Sequence, residues 1–502
     1  MNVLQDLSAL APLWLIAIAA AVVLLLTVSA GHKRAQSSDG FDGSHLAFLS
    51  LAALLAADWL LLGHEETRSI FSGALIIDGV GVVFSLTVLV GSAVSVLLAA
   101  AYLREHGMAQ GEFFALILLS TVGMMMLAMA GDLLTLFIGI ETMSLGVYVL
   151  AGYRRSSRRS QEAALKYFIY GAFASAFALF GIALLYGEVG RLSGTASLGF
   201  PAIAAAFGGP DRVAALGWIG VTMVIGGLCF KVAAVPFHMW APDVYEGSPT
   251  PSTGFMAVGI KTAAFAGLCR FVAATLLAGN NATETAVQIF EVLAIMTMVL
   301  GNLVAIRQTQ IKRMLAYSSI AHAGYVFVGI AAFLADPKSI ALEGIAYYLF
   351  GYTAMTLGAF GVVLAFERRE DRRLDLPIER LAGIAHKYPA LGLAMALFMF
   401  SLAGIPPTAG FFGKLVLFGA AIDAGRVGVV VVAVLASAIG TFYYLRVTVV
   451  MYMRASTTEE NRVESVWLGA ALWVCAAVTL VVGPLPETYF GFAKRLLTGW
   501  LG

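Results

Sequence analysis

Stretches of about twenty apolar residues recur along this 502-residue chain, centred near residues 20, 54, 88, 121, 142, 175, 229, 265, 296, 322, 353, 405, 440 and 475. A segment needs about 20 such residues to cross the hydrocarbon core of a bilayer. In lipid every backbone N–H and C=O must find a partner within the protein, so a chain built of such segments is restricted to helices. The composition agrees: 60% of residues are hydrophobic and 12% charged, against about 25% charged in a soluble domain. The expected fold class is therefore an all-α polytopic membrane protein with about fourteen transmembrane helices. The first run, from Ala11 to Ala30, has no Lys or Arg before it and is long enough to span, so it reads as a retained helix and not a cleaved signal. Spans four and five are separated by little more than Gly131-Asp132.

Orientation follows from basic residues, which favour cytoplasmic loops. The odd-numbered connections hold 18 Lys and Arg, among them Arg154, Arg155, Arg158, Arg159, Lys312, Arg313, Arg368, Arg369, Arg372 and Arg373; the even-numbered ones and the C-terminal tail hold 7. This places the odd connections in the cytoplasm and both termini on the other side. Two spans are too long. The seventh stays apolar from about Ala214 to Tyr245 but contains Pro236 and Pro242, and the twelfth runs from about Ala390 to Ile422 through Gly404-Ile405-Pro406-Pro407. A straight helix of that size would be roughly 48 Å long, against a core of about 30 Å, and interior proline breaks helices. Spans 7 and 12 are therefore expected to be interrupted. Breaks five spans apart suggest two inverted five-helix repeats, spans 4–8 and 9–13. The domain reading is 1–110 for helices 1–3, 111–280 and 281–455 for the repeats, and 456–502 for the last helix and tail.

Glu141, Lys231, Lys261 and Lys414 lie deep inside these spans. A charge at mid-bilayer costs roughly 2.5–3.5 kcal/mol on insertion scales and by default marks an ion or proton path. Lys231 precedes one break and Lys414 follows the other. Lys166, His238 and His322 extend the set, each with a plainer alternative. Lys166 is close enough to the start of span 6 to snorkel to the interface. His238, flanked by Trp240, suits an interfacial anchor, and His322 suits a hydrogen-bonded core histidine. Asp132, Asp243 and Glu246 read as solvated loop residues. The mixed-charge run 367–387 fits either a short helix or a solvated loop. Low dielectric disfavours a lysine's charged form and a nearby carboxylate restores it. An acid moving near a lysine can thus switch it between holding and releasing a proton. Cys229, Cys269 and Cys475 are isolated, with no CxxC pair to hold a cluster, zinc or haem. There is no strand–GxGxxG–helix unit for a dinucleotide.

Five segments carry a family resemblance: GIETMSLGVYVLAGYRR (139–155), EAALKYFIYG (162–171), KVAAVPFHMWAPDVYEGSPTP (231–251), IKRMLAYSSIAHAGY (311–325) and AGIPPTAGFFGK (403–414). They resemble the antiporter-like membrane subunits of respiratory complex I, most of all the N-type subunit of bacterial NADH–quinone oxidoreductase, the counterpart of mitochondrial subunit 2. The resemblance implies a non-redox subunit of a proton-pumping translocase. It implies no cofactor in this chain, with FMN, iron–sulfur clusters, NADH and quinone handled by other subunits. It further implies an M-type antiporter-like neighbour and a small K-type neighbour, a lipid bilayer, no nucleic acid, and residence in a bacterial inner (plasma) membrane with both termini periplasmic. The family's proton-pathway positions fall on Glu141, Lys166, Lys231, His238, Lys261, His322 and Lys414. Two other readings stay open: a subunit of a multi-subunit cation/proton antiporter or membrane-bound hydrogenase, and a purely structural spacer in a membrane arm.

Overall fold

A computed structural model describes residues 3–34, 43–63, 67–108, 111–278, 282–367, 376–455, 462–497 and 500. Arg368, Arg369, Arg372 and Arg373, counted above for orientation, lie outside the described residues, as do residues 368–375 of the 367–387 run as a whole. Each apolar segment forms helix. In chain order the principal helices are α1 (Ala11–Arg34), α2 (Ser44–Leu62), α3 (Gly79–Glu105), α4 (Glu112–Ala128), α5 (Leu133–Ala151) and α6 (Arg158–Ser193). They continue with α7 (Ala215–Lys231), α8 (Ala241–Gly247), α9 (Thr250–Leu276), α10 (Thr283–Ile306), α11 (Ile311–Ala335) and α12 (Ala341–Leu364). The last are α13 (Pro389–Ala403), α14 (Ala409–Asp423), α15 (Val427–Met453), α16 (Val466–Val482) and α17 (Pro486–Leu497).

Among the described residues ten of these are long and apolar enough to cross a membrane, or eleven if α16 and α17, bent by 85° at their junction, count as one span. This is fewer than the fourteen expected. The difference has a physical source. The segments near residues 121, 229 and 405 carry helices of only 15–17 residues: α4, α7, and the pair α13 and α14. A 15-residue helix is roughly 23 Å long, short of the ~30 Å core.

The two long segments are broken where prolines crowd. Helix α7 ends at Lys231 and helix resumes at Ala241, with Ala233 in the left-handed region at φ 59°. Helix α13 ends at Ala403, Gly404 turns left-handed at φ 88°, and α14 begins at Ala409. The Val235–Pro236 and Pro406–Pro407 bonds are cis.

Four features depart from the sequence reading. A small antiparallel pair, β1 (Arg68–Ile70) and β2 (Leu75–Ile77), pairs Arg68 with Ile77 and joins α2 to α3. A further helix, Phe200–Phe207, occupies the connection between α6 and α7. The C-terminal tail expected after the last span is itself helical, as α17. Helix α9 carries a π-turn at Met256–Ile260, directly before Lys261.

Helices α3, α9, α11 and α12 form the centre. The apolar window of α9 is wholly buried, whereas that of α6 is 39% buried. Exposed Leu165, Phe168, Ile169 and Phe173 on α6 face outward, as an apolar solvent such as lipid allows.

Candidate proton-carrier site

Lys231 is the last residue of α7 and is 3% exposed. Its ammonium donates to Ser144 Oγ at 2.8 Å and Tyr148 Oη at 3.3 Å, and lies 5.6 Å from the Tyr148 ring centre. Both partners are on α5. Glu141, Ser144 and Tyr148 are spaced i, i+3, i+7 and so share one face of that helix. Among the described residues Glu141 forms no ion pair with Lys231, whose partners lie one and two turns further along α5. Glu141 Oε1 is buried with no hydrogen-bond partner.

Lys261, 2% exposed, donates to the carbonyl and the hydroxyl of Ser319, the latter at 2.6 Å, and its ammonium lies 5.5 Å from the Tyr352 ring centre. Ser319 is on α11, one turn before His322. Both imidazole nitrogens of His322 are engaged: Nδ1 lies 2.6 Å from Tyr348 Oη, and Nε2 lies 2.9 Å from Tyr444 Oη. Tyr444 Oη also meets Ser318 Oγ at 2.5 Å. Three helices, α11, α12 and α15, thus converge on one imidazole.

Lys414, on α14, donates to Leu402 O at 3.1 Å, Ala403 O at 3.0 Å and Ser437 Oγ at 2.8 Å, and sits 4.9 Å from the Tyr325 ring centre. The last carbonyls of a helix lack intrahelical partners. The break after Ala403 frees two of them, and the lysine fills the vacancy. Tyr325 Oη in turn accepts from Asn302 at 3.0 Å, and Asn302 Oδ1 accepts from Tyr443 at 3.0 Å.

Among the described residues none of these three lysines is ion-paired; each ammonium is held by neutral groups alone. This is the chemically informative property of the site. A buried ammonium bonded to hydroxyls and carbonyls can hand a proton on without first breaking an ion pair.

Lys166 and His238 stand apart. Lys166, its side chain 35% exposed, pairs with Asp243 and Glu162 at 2.7 Å each. Arg313 joins the same group, 2.7 Å from Asp243 and 2.9 Å from Glu246. Asp243 and Glu246 are thus not solvated loop residues: they lie on α8 and are ion-paired. A cavity of about 200 Å³ opens among Arg159, Glu162, Lys166, Asp243 and Glu246. His238 lies in the α7–α8 break, 8% exposed, with Nδ1 unpartnered. Its neighbour Trp240 is not an interfacial anchor. It is 3% exposed, stacks on Tyr167 at 4.4 Å, and donates to Phe230 O at 3.0 Å, closing one carbonyl of the break.

Sequence reasoning missed Ser144, Tyr148, Ser319, Tyr348, Tyr444 and Ser437. A signal existed: tyrosines within apolar segments, with Tyr348 and Tyr352 at i, i+4, present polar tips on one helix face. It also missed Arg270, buried on α9, which forms a two-bond ion pair with buried Asp78 at 2.5 and 2.9 Å. Among the described residues no group of three or more His, Cys, Asp or Glu side chains is arranged to hold a metal ion.

Residues 130–440 match the family model described as NADH:quinone oxidoreductase/Mrp antiporter, TM. The chain is 41% identical to the NADH-quinone oxidoreductase subunit N of Myxococcus xanthus, with 98% of this chain and 97% of that protein covered. It is 44% identical to subunit N 1 of Sorangium cellulosum, with 97% of each covered. Among solved structures it is similar to a chain of Thermus thermophilus respiratory complex I with bound aureothin, at TM-score 0.78 and 33% identity over 96% of this chain and 98% of that one. A chain of the Mrp complex from Dietzia shares the fold, with TM-score 0.80 and 21% identity, 100% of this chain and 99% of that one being covered.

Proposed function

Because this chain belongs to the NADH-quinone oxidoreductase subunit N family, we propose that it translocates protons through Glu141, Lys231, Lys261, His322 and Lys414, driven by redox chemistry in other subunits. The observation that carries this reading is the set of three buried lysines held only by neutral partners. Lys231 stands at one helix break, Lys414 donates to the carbonyls of the other, and Lys261 follows a π-turn. Lys231 is the central carrier and Glu141 its modulator: the unpartnered Glu141 carboxylate lies two turns from Tyr148 on the helix that supplies the Lys231 partners. Lys261 and His322 pass protons sideways, and Lys414 leads to the external exit. Lys166 and His238 line the inlet to Lys231.

In this reading the fourteen apolar segments are fourteen spans, with α4–α9 and α10–α15 as inverted repeats and unit boundaries near 110, 280 and 455. The chain sits in the bacterial plasma membrane with periplasmic termini, beside an M-type antiporter-like subunit and a small K-type subunit. FMN, iron–sulfur clusters, NADH and quinone belong to the remainder of the assembly.

Replacing Lys231 by Ala tests the central claim. NADH-driven proton uptake by inverted membrane vesicles should fall to a small fraction of wild type, with the complex keeping its size on native gels. Glu141→Gln should also impair uptake, and Glu141→Asp should impair it less. Wild-type uptake in Lys231→Ala would instead favour a structural spacer.

A further inference from the structure

A second buried ion pair lies outside the set above, at the end of the bundle where α12 finishes and α11 starts. Lys312, 2% exposed, donates to Ser248 O at 2.6 Å, and its ammonium stands 3.8 Å from Glu367 Oε1. That oxygen also accepts from Thr250 Oγ1 at 2.6 Å. Glu367 is itself 6% exposed, and its second oxygen, Oε2, is buried without a hydrogen-bond partner. An unfilled carboxylate oxygen is expensive in such surroundings. Two further titratable groups feel the Glu367 charge. Tyr102 is fully buried with an unpartnered hydroxyl, and His106, at the C-terminal cap of α3, stacks on the Tyr102 ring at 4.0 Å. Arg154 and Glu246 complete the charges acting on Lys312.

Position along α11 connects this group to the carriers. Lys312, Ser319 and His322 are spaced i, i+7, i+10 and so lie on one side of the helix. Ser319 holds the Lys261 ammonium. The rise from Lys312 to Ser319 is roughly 10 Å.

We propose that the Lys312–Glu367 pair is a proton-loading site, an inlet to the Lys261 half of the path distinct from the one at Lys166 and Lys231. Glu367 takes a proton on its buried, unpartnered Oε2, and the proton moves on along α11 toward Ser319 and Lys261. The inference rests on the relay reading, and it adds a site that reading does not use.

The competing role is a packing latch, and the two roles separate in a double substitution. Exchanging both members of a buried ion pair for uncharged groups of similar volume is often neutral or stabilising. Lys312→Met combined with Glu367→Gln should therefore assemble normally, since Gln can still accept from Thr250. Proton uptake by vesicles, measured alongside NADH oxidation, should nevertheless lose most of its amplitude, while Glu367→Asp alone should retain it. Wild-type uptake in the assembled double variant would overturn the inlet. Should that variant fail to assemble, Glu367→Gln alone decides by the same readout. Lys261→Ala runs in parallel: normal uptake there defeats the relay itself, whereas lost uptake there with normal uptake in the double variant defeats only the inlet.

Discussion

Lys414 touches two carbonyls and one serine hydroxyl, and that seat distinguishes charge from proton exchange. Arginine keeps the charge but does not release a proton in proteins. Lys414→Arg should therefore pump as poorly as Lys414→Ala, which a vesicle proton-uptake assay would show; wild-type rates in both would rule out an exit role. Lys231, Lys261 and Lys414 were legible in the sequence because an ionisable residue in an apolar run needs no partner to be noticed. Their partners were not. Ser144, Ser319 and Ser437 are ordinary within helices, and nothing in linear order says that α5 presents Ser144, rather than Glu141, to Lys231. The same holds for Arg270 and Asp78, which lie 192 positions apart and meet only in the fold.

At the scale of elements, the breaks were readable because proline and glycine act locally on the backbone. The π-turn before Lys261 was not, since it depends on how α9 packs within its neighbours. Gly404 shows what the second break requires. At φ 88° a side chain is strained, and a Cβ there would come 3.1 Å from Lys414 Cδ and 3.2 Å from its Nζ. Gly404→Ala should cost about 1–2 kcal/mol in backbone strain and slow proton uptake by displacing the lysine. Gly419, on the same α14, has open space around it. Gly419→Ala should leave uptake unchanged, so equal rates in the two variants would show that the geometry of the break does not matter. The short helices α4, α7, α13 and α14 leave the span count below the number of apolar runs because hydropathy registers apolar residues and not the length of the helix they form.

For the whole molecule, the Asp78–Arg270 pair ties the start of α3 to α9, and Trp500 Nε1 bonds the same carboxylate at 3.0 Å. Arg270 also donates to Ala128 O at the end of α4. Removing one member of such a pair strands the other, at a cost of about 3–5 kcal/mol. Arg270→Met should lower the thermal midpoint of the purified complex and reduce its yield, and Asp78→Asn added to it should recover part of both. An unchanged midpoint in Arg270→Met would mean that water already reaches Asp78.

The carbonyls that hold Lys414 also bear on leakage. Freed carbonyls at the end of a broken helix suit sodium or potassium as readily as an ammonium. An open seat of that kind in an energised membrane would invite alkali cations to follow the electrical gradient. Because the charge filling it is tethered to α14, it cannot depart, and the seat stays closed to ions that could.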